Sequence, residues 1–247
     1  MRLKDKVAVV TGAAGGLGRM FALSLAGEGA HVAVVDVYDA TPVQKEIEAR
    51  GGKALALAGN VTDPVSMNNM AAEVKKQFGR IDILINNAAI YAGLKRGSFM
   101  EIDLDEWDRV MAVNVKGAFL AVRAVYPYMK AQRHGKIINI ASEVFFTGSH
   151  GFAHYVTSKG GIIGLTRALA IETGSDNICV NAIAPGFTDT EASRGIADVH
   201  RYDTAKTPLQ RLCQPEDLTG TAIFLASSDS DFITGQAIVV DGGRVMH

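Results

Sequence analysis

Val7-Ala8-Val9-Val10-Thr11-Gly12-Ala13-Ala14-Gly15-Gly16-Leu17-Gly18 is the stretch from which the fold of this chain is read. Val7 to Val10 are apolar without alternation, the pattern of a parallel strand covered on both faces. Helical periodicity follows from Leu17 to Glu28. Gly12, Gly15, Gly16 and Gly18 therefore occupy a strand-to-helix turn. There, bare backbone can approach a pyrophosphate, and the helix that Leu17 opens offers unpaired N–H groups and a partial positive charge. The spacing is Gly-x-x-x-Gly-x-Gly, so the argument rests on its place between strand and helix.

Working outward, a second strand, His31 to Val35, ends at Asp36. A carboxylate there can accept hydrogen bonds from both adenosine ribose hydroxyls and would repel a 2′-phosphate, which favours NAD. Ala13, Ala14 and Val37, placed to neutralise such a phosphate, carry no charge, and Arg19 should lie within the helix. Thr41-Pro42-Val43-Gln44 reads as a capping box that opens the next helix, closed by Gly51-Gly52. Further strands are read at Ala54–Ala58, Ile81–Ile85, Lys136–Ile140, Ile178–Ile183 and Gln236–Val240. Helices alternate with them: Pro64 to Phe78, a long one from Asp105 to about Gln132 that Pro127 should kink or shorten, one through Tyr155 to Ala170, and Pro215 to Ala226. This alternation predicts an α/β, doubly wound fold, a seven-stranded mostly parallel sheet with helices on both faces. Ligands of such sheets lie beyond the carboxyl ends of the strands. Asn60 and Val61, Asn87 to Ala89, Ser142 and Pro185-Gly186 all fall at those ends.

The 247 residues are 48% apolar and 21% charged, enough for a large core in one domain over residues 1–247. Lys and Arg number 25 against 26 Asp and Glu, and no basic tract exists, which argues against a nucleic-acid binder and for a small-molecule partner. Cys179 and Cys213 have neither metal-ligand nor disulfide spacing, so no metal is expected and a reducing, cytoplasmic setting fits. No apolar run approaches the ~18 residues of a membrane span. The weakly periodic stretch at about 187–214 has the length of a substrate lid.

The chemistry is expected at Tyr155-Val156-Thr157-Ser158-Lys159. Residues four apart share a helix face, which holds a phenol beside an ammonium. An unperturbed tyrosine titrates near ~10, so readiness near neutral pH needs a shift of ~2 to 3 units. One cation at ~4 Å, at an effective dielectric of about 20, supplies about 4 kcal/mol. Tyr155 is thus a candidate general acid/base, and Ser142, at a strand end, a candidate donor to a substrate oxygen. Asn114, inside an apolar helical stretch, reads equally as a structural hydrogen-bonding group. Gly160, Gly161 and Gly164 suggest a tight helix packing face, within the chain or between subunits.

Thr11-Gly12-x-x-x-Gly16-x-Gly18, Asn86-Asn87-Ala88, Asn114, Ser142, Tyr155-x-x-x-Lys159 and Pro185-Gly186-x-x-x-Thr190 run in order through the whole chain. Jointly they resemble the short-chain dehydrogenase/reductase family in its ~250-residue form. The resemblance implies an NAD-dependent oxidoreductase that interconverts a secondary or benzylic alcohol and its carbonyl compound. In it Tyr155 exchanges the proton, Ser142 orients the oxygen, Lys159 lowers the tyrosine pKa and holds the nicotinamide ribose, and Asn114 anchors a relay water. The loop Pro185, Gly186, Thr188 and Thr190 grips the carboxamide, and a homotetramer is the family's expectation. Ala89, Asn60 and Thr188 depart from the family's usual Gly, Asp and Val or Ile. A ketone reductase is the runner-up; a non-catalytic NAD-binding protein is disfavoured by the intact Tyr and Lys. Val144, Phe146 and His150 are expected to line the substrate pocket. Arg194, His200 and Arg201 are candidate contacts on the lid, and the charge of the substrate stays open.

Overall fold

The computed structural model describes residues 1–196 and 202–246. Seven strands form one sheet: β1 (Val7–Thr11), β2 (His31–Asp36), β3 (Lys53–Ala58), β4 (Ile83–Asn86), β5 (Gly135–Ile140), β6 (Ile178–Pro185) and β7 (Ala237–Val240). Every pairing is parallel, in the order β3-β2-β1-β4-β5-β6-β7. Side chains alternate across the sheet, and both faces are apolar. Ala8, Val10, Val32 and Val34 join a core with α1 (Gly16–Gly27), α2 (Thr41–Ala49) and α9 (Pro215–Ala226). Val7, Val9, Ala33 and Val35 face α3 (Pro64–Phe78), α5 (Ala118–Gln132) and α7 (Ala153–Thr173). Strand order reverses between β1 and β4, which opens a crevice over their carboxyl ends.

Local chemistry accounts for several boundaries and corrects others. Asp63 caps α3 by accepting from the Val65 amide, and Gly79, at φ +80, ends it. The capping box at Thr41 does not form. Thr41 is already helical, its amide is held by Asp39 Oδ1 at 2.9 Å, and Gln44 Oε1 instead accepts from Ala56 N at 2.7 Å. Because β3 is an edge strand, its outward amide needs such a partner more than the helix does. The long helix runs unbroken from Leu104 to Gln132 but changes type: α4 (Leu104–Met111) passes into a π-helical segment, Ala112–Gly117, before α5. Pro127 does not end α5, which runs to Gln132; Val125 and Met129, both fully buried, hold the turn on either side of it. Gly160 and Gly161 pack within the chain, since a Cβ there would meet Phe145 at 2.9 Å and Val115 at 3.2 Å. Gly164 faces open space. Cys179 and Cys213 are free thiols. Among the described residues, no helix is long and apolar enough to cross a membrane, and no three metal-ligating side chains cluster.

Candidate active site

A cleft of about 1270 Å³ lies over the carboxyl ends of the strands. All the site residues expected from the sequence line it except Gly18, Asn114 and Phe146. The volume accommodates a dinucleotide together with a small second molecule, since single-ligand pockets run ~300 to 1,000 Å³.

One half of the cleft is built by the turn after β1. Asn87 Nδ2 donates to the carbonyls of Thr11 and Gly12 at 3.0 and 2.9 Å, and the Asn87 and Ala88 amides donate to Thr11 Oγ1 at 3.2 Å. These bonds clamp the loop after β4 onto the loop after β1 and leave no room between them. A Cβ on Gly18 would collide with Gly12 O and stand 2.6 Å from Asn87 Nδ2; one on Gly12, at φ +65, would stand 2.7 Å from Ala88 Cα. Gly18 thus serves packing under the loop rather than its surface. The N-terminus of α1 has no side-chain cap and no acidic residue in its first turn, a cradle that fits a pyrophosphate.

At the end of β2, Asp36 reaches the cleft. Its Oδ2 accepts from Ala14 N at 2.9 Å and its Oδ1 from Tyr38 N at 3.1 Å, so the carboxylate is fixed by the turn it flanks. Arg19 is held away by Glu46 in a two-pronged pair of 2.9 and 2.7 Å. Asn60 Oδ1 is engaged by the Thr62 amide and hydroxyl, and Val61 packs beside Gly117. Across the cleft, Thr188 Oγ1 donates to Gly186 O at 2.9 Å, and Thr190 caps α8 (Glu191–Arg194) through Ser193.

In the other half, α7 carries Tyr155 and Lys159 below the surface. The expected lowering of the phenol pKa by the Lys159 ammonium is not seen. Burial holds the Tyr155 phenol well above its usual range, Tyr91 adds to this, and the Ser142 hydroxyl acts the other way. Lys159 Nζ instead donates to Ile140 O at 2.7 Å and stands 5.5 Å from the Tyr155 ring centre; burial lowers its own pKa to about 8. The Tyr155 ring lies 5.0 Å from that of Tyr91 and meets Phe152 edge-on at 6.0 Å.

Asn114 lies in the π-helical segment and off the cleft. Its Oδ1 accepts from Ile90 N at 2.7 Å; its Nδ2 donates to Ile90 O at 3.2 Å and Ser158 Oγ at 3.1 Å. Both amide hydrogens are therefore occupied.

The substrate end departs furthest from expectation. Val144 and His150 line the cleft, but Phe146 does not: it packs with Ala118, Ala141 and Ile162. Val144–Thr147 forms one helical turn, α6, and positions two apart on a helix point about 200° apart, so Val144 and Phe146 face opposite ways. His154 is buried, with Nε2 3.1 Å from Glu106 Oε1. Arg194 is paired with Asp189 at 2.7 Å rather than aimed at the cleft, and His200 and Arg201 lie outside the described residues. Sequence reasoning missed Tyr91, Arg96, Glu143, Tyr202, Lys206 and Arg244, which all line the cleft. Only Glu143, next to Ser142, carried a usable signal; the others arrive by loop conformations that no periodicity reports.

Fold and site together define a doubly wound dinucleotide-binding protein with a serine, a tyrosine and a lysine set at the strand ends beside the cofactor cradle. A family model described as enoyl-(acyl carrier protein) reductase matches residues 12–244. The chain is 39% identical to 3-oxoacyl-[acyl-carrier-protein] reductase FabG of Thermotoga maritima, over all of both chains. It is 38% identical to the (2S)-[(R)-hydroxy(phenyl)methyl]succinyl-CoA dehydrogenase subunit BbsD of Thauera aromatica, over 99% of this chain and 98% of that one. Among solved structures, a short-chain type dehydrogenase/reductase from Mycobacterium marinum superposes with a TM-score of 0.93 at 36% identity, covering 99% of this chain and 97% of the other. A putative gluconate dehydrogenase from Agrobacterium tumefaciens gives a TM-score of 0.93 at 35% identity, covering 99% and 98%. The chain belongs to the short-chain dehydrogenase/reductase family, and is an oxidoreductase that binds a nicotinamide cofactor.

Proposed function

We propose that this enzyme interconverts a secondary or benzylic alcohol and the corresponding carbonyl compound, with NAD as the hydride carrier. One observation carries the reading: Ser142, Tyr155 and Lys159 share a single cleft with the glycine turn and Asp36. The Gly12–Gly18 turn and the α1 N-terminus would hold the pyrophosphate, Asp36 the adenosine ribose, Lys159 the nicotinamide ribose, and Gly186, Thr188 and Thr190 the carboxamide. When bound, the oxidised nicotinamide supplies a hydride acceptor and a positive charge at this end of the cleft.

The residues of the chain then do the following. Ser142 donates to the substrate oxygen and orients the carbinol. Tyr155 exchanges the proton with that oxygen, as base in oxidation and as acid in reduction. Its raised pKa keeps the phenol protonated until a positive charge is added beside it, and Lys159, with its lowered pKa, can pass a proton at Nζ. Both amide hydrogens of Asn114 are engaged, so a relay water would rest on main-chain carbonyls of the π-helical segment or on the second lone pair of Asn114 Oδ1.

The benzylic substrate is supported by the Tyr91, Phe152 and Val144 surfaces around Tyr155 and by the phenylmethanol group in the name of the Thauera relative. Reduction as the working direction is favoured by the reductase name of the Thermotoga relative. A lid over about residues 187–214, a homotetramer measurable by light scattering, and a cytoplasmic location complete the proposal. The test is NADH absorbance across a panel of secondary and benzylic alcohols. Tyr155→Phe should lower turnover by about 10² to 10⁴-fold, the usual contribution of a general acid/base. Near-wild-type turnover in that variant overturns the mechanism.

A further inference from the structure

Glu143 is the residue at the substrate end that the proton-transfer set does not use. It follows Ser142 directly, lines the cleft, and is 5% exposed. Burial and the nearby Asp241 carboxylate raise its pKa, against the pull of Arg244, the Phe187 amide and the Tyr202 hydroxyl. Its Oε2 has no hydrogen-bond partner. A buried acceptor left unmatched is costly, the more so when charged, and such an atom in a ligand cleft marks where a ligand's polar hydrogen belongs.

The neighbours of Oε2 narrow the chemistry. Arg244 Nε stands 3.9 Å away, too far for a hydrogen bond. The guanidinium is held there by Nη1 donating to Asp203 O at 3.1 Å and by the Tyr202 ring 5.1 Å beneath it, a ring stacked in turn on Phe187 at 4.4 Å. An acceptor and a donor at this separation are bridged by one atom that both donates and accepts. An ammonium only donates and could not take the hydrogen of Arg244 Nε. A carboxylate only accepts and would meet that of Glu143. A neutral hydroxyl does both: it gives its hydrogen to Glu143 Oε2 and takes one from Arg244 Nε.

We infer that Glu143 and Arg244 form a specificity site for a second hydroxyl of the substrate, adjacent to the carbinol that Ser142 and Tyr155 handle. The substrate class is then a vicinal diol or its hydroxyketone, rather than a monofunctional alcohol. This rests on the proposed secondary or benzylic alcohol reading and adds to it the identity of the neighbouring group.

The experiment compares 1-phenylethanol with 1-phenyl-1,2-ethanediol, which differ by that hydroxyl alone, in wild type, Glu143→Ala and Glu143→Gln, with NAD. A hydrogen bond to a charged group contributes about 1.5 to 3 kcal/mol, so wild type should favour the diol by roughly 10- to 100-fold in kcat/KM. In Glu143→Ala the ratio should fall to about one, mainly through KM. In Glu143→Gln, whose amide oxygen still accepts, part of the preference should return. Three outcomes overturn the inference. An absent diol preference in wild type means that the gap holds water only. An equal loss on both substrates in either variant makes Glu143 a latch for the Tyr202 segment. Failure of wild type to oxidise either alcohol removes the proposed benzylic-alcohol reading beneath it, a result distinct from turnover without preference.

Discussion

Lys159 occupies a poor place for a charge: nearly sealed from water, with its ammonium on the Ile140 carbonyl and its pKa lowered from the usual 10.5 to about 8. Below pH 8 both folded and unfolded chains hold the proton, and the folded one bears the burial penalty in full, on the order of 3 kcal/mol. Between about pH 8 and 10.5 the unfolded chain still holds a proton that the folded chain has released, so stability rises with pH across that window. Lys159→Met carries no such charge. In urea titrations of the unliganded protein, the variant should be most favoured relative to wild type at pH 7 and should lose that advantage as pH climbs from 8 towards 10. A gap that stays constant with pH would mean the ammonium is not penalised. The same residue shows what its spacing conveyed. The four-residue interval from Tyr155 placed both groups in one cleft, but not which way the amine turns, because the Ile140 carbonyl belongs to the preceding strand, outside the helix whose spacing was read.

Elements were legible where one force dominated. The strands at the centre of the sheet, β1, β2 and β4, are buried and left short apolar runs, and all seven strands were found to within a residue or two at most ends. Where two partners competed for one side chain, local patterns misled: Gln44 serves the edge of β3 rather than its own helix, and Ala112–Gly117 widens into a π segment that no apolar periodicity marks. The turn between β1 and α1 shows the same division. Gly15 is extended, at φ −163, and a Cβ on it would meet nothing within 4 Å, whereas one on Gly18 would collide with Gly12 O and Asn87 Nδ2. Gly18→Ala should therefore destabilise the unliganded fold by about 1 to 3 kcal/mol, as overpacking does. That is roughly 2 to 10 °C in melting temperature for a chain of this size. Gly15→Ala should leave the unliganded melt close to wild type while weakening NAD binding, because its surface faces the cleft. Equal melting temperatures for the two variants would contradict this reading of the turn.

At the scale of the whole molecule, the reversal of strand order brings groups from the ends of β1, β2, β4 and β6 to one crevice, so a ligand spanning it ties both halves of the sheet. A ligand that binds only the folded state stabilises it by RT ln(1 + [L]/Kd), about 2.7 kcal/mol at a hundredfold excess over Kd. That corresponds to roughly 5 to 10 °C in melting temperature here. NAD should produce such a shift. NADP should not, since its extra phosphate would meet Asp36 and Asp39, both at the cleft, with Arg19 already held by Glu46. Asp36 also pins Ala14 and Tyr38 through their amides, so removing the whole side chain would disturb the turn itself. Asp36→Asn is the sharper change: it keeps an acceptor oxygen and removes the charge. The NAD-induced shift should shrink and the NADP-induced shift grow, narrowing the interval between them. If that interval survives intact in Asp36→Asn, the carboxylate does not set the choice of cofactor, and discrimination must come from elsewhere along the crevice.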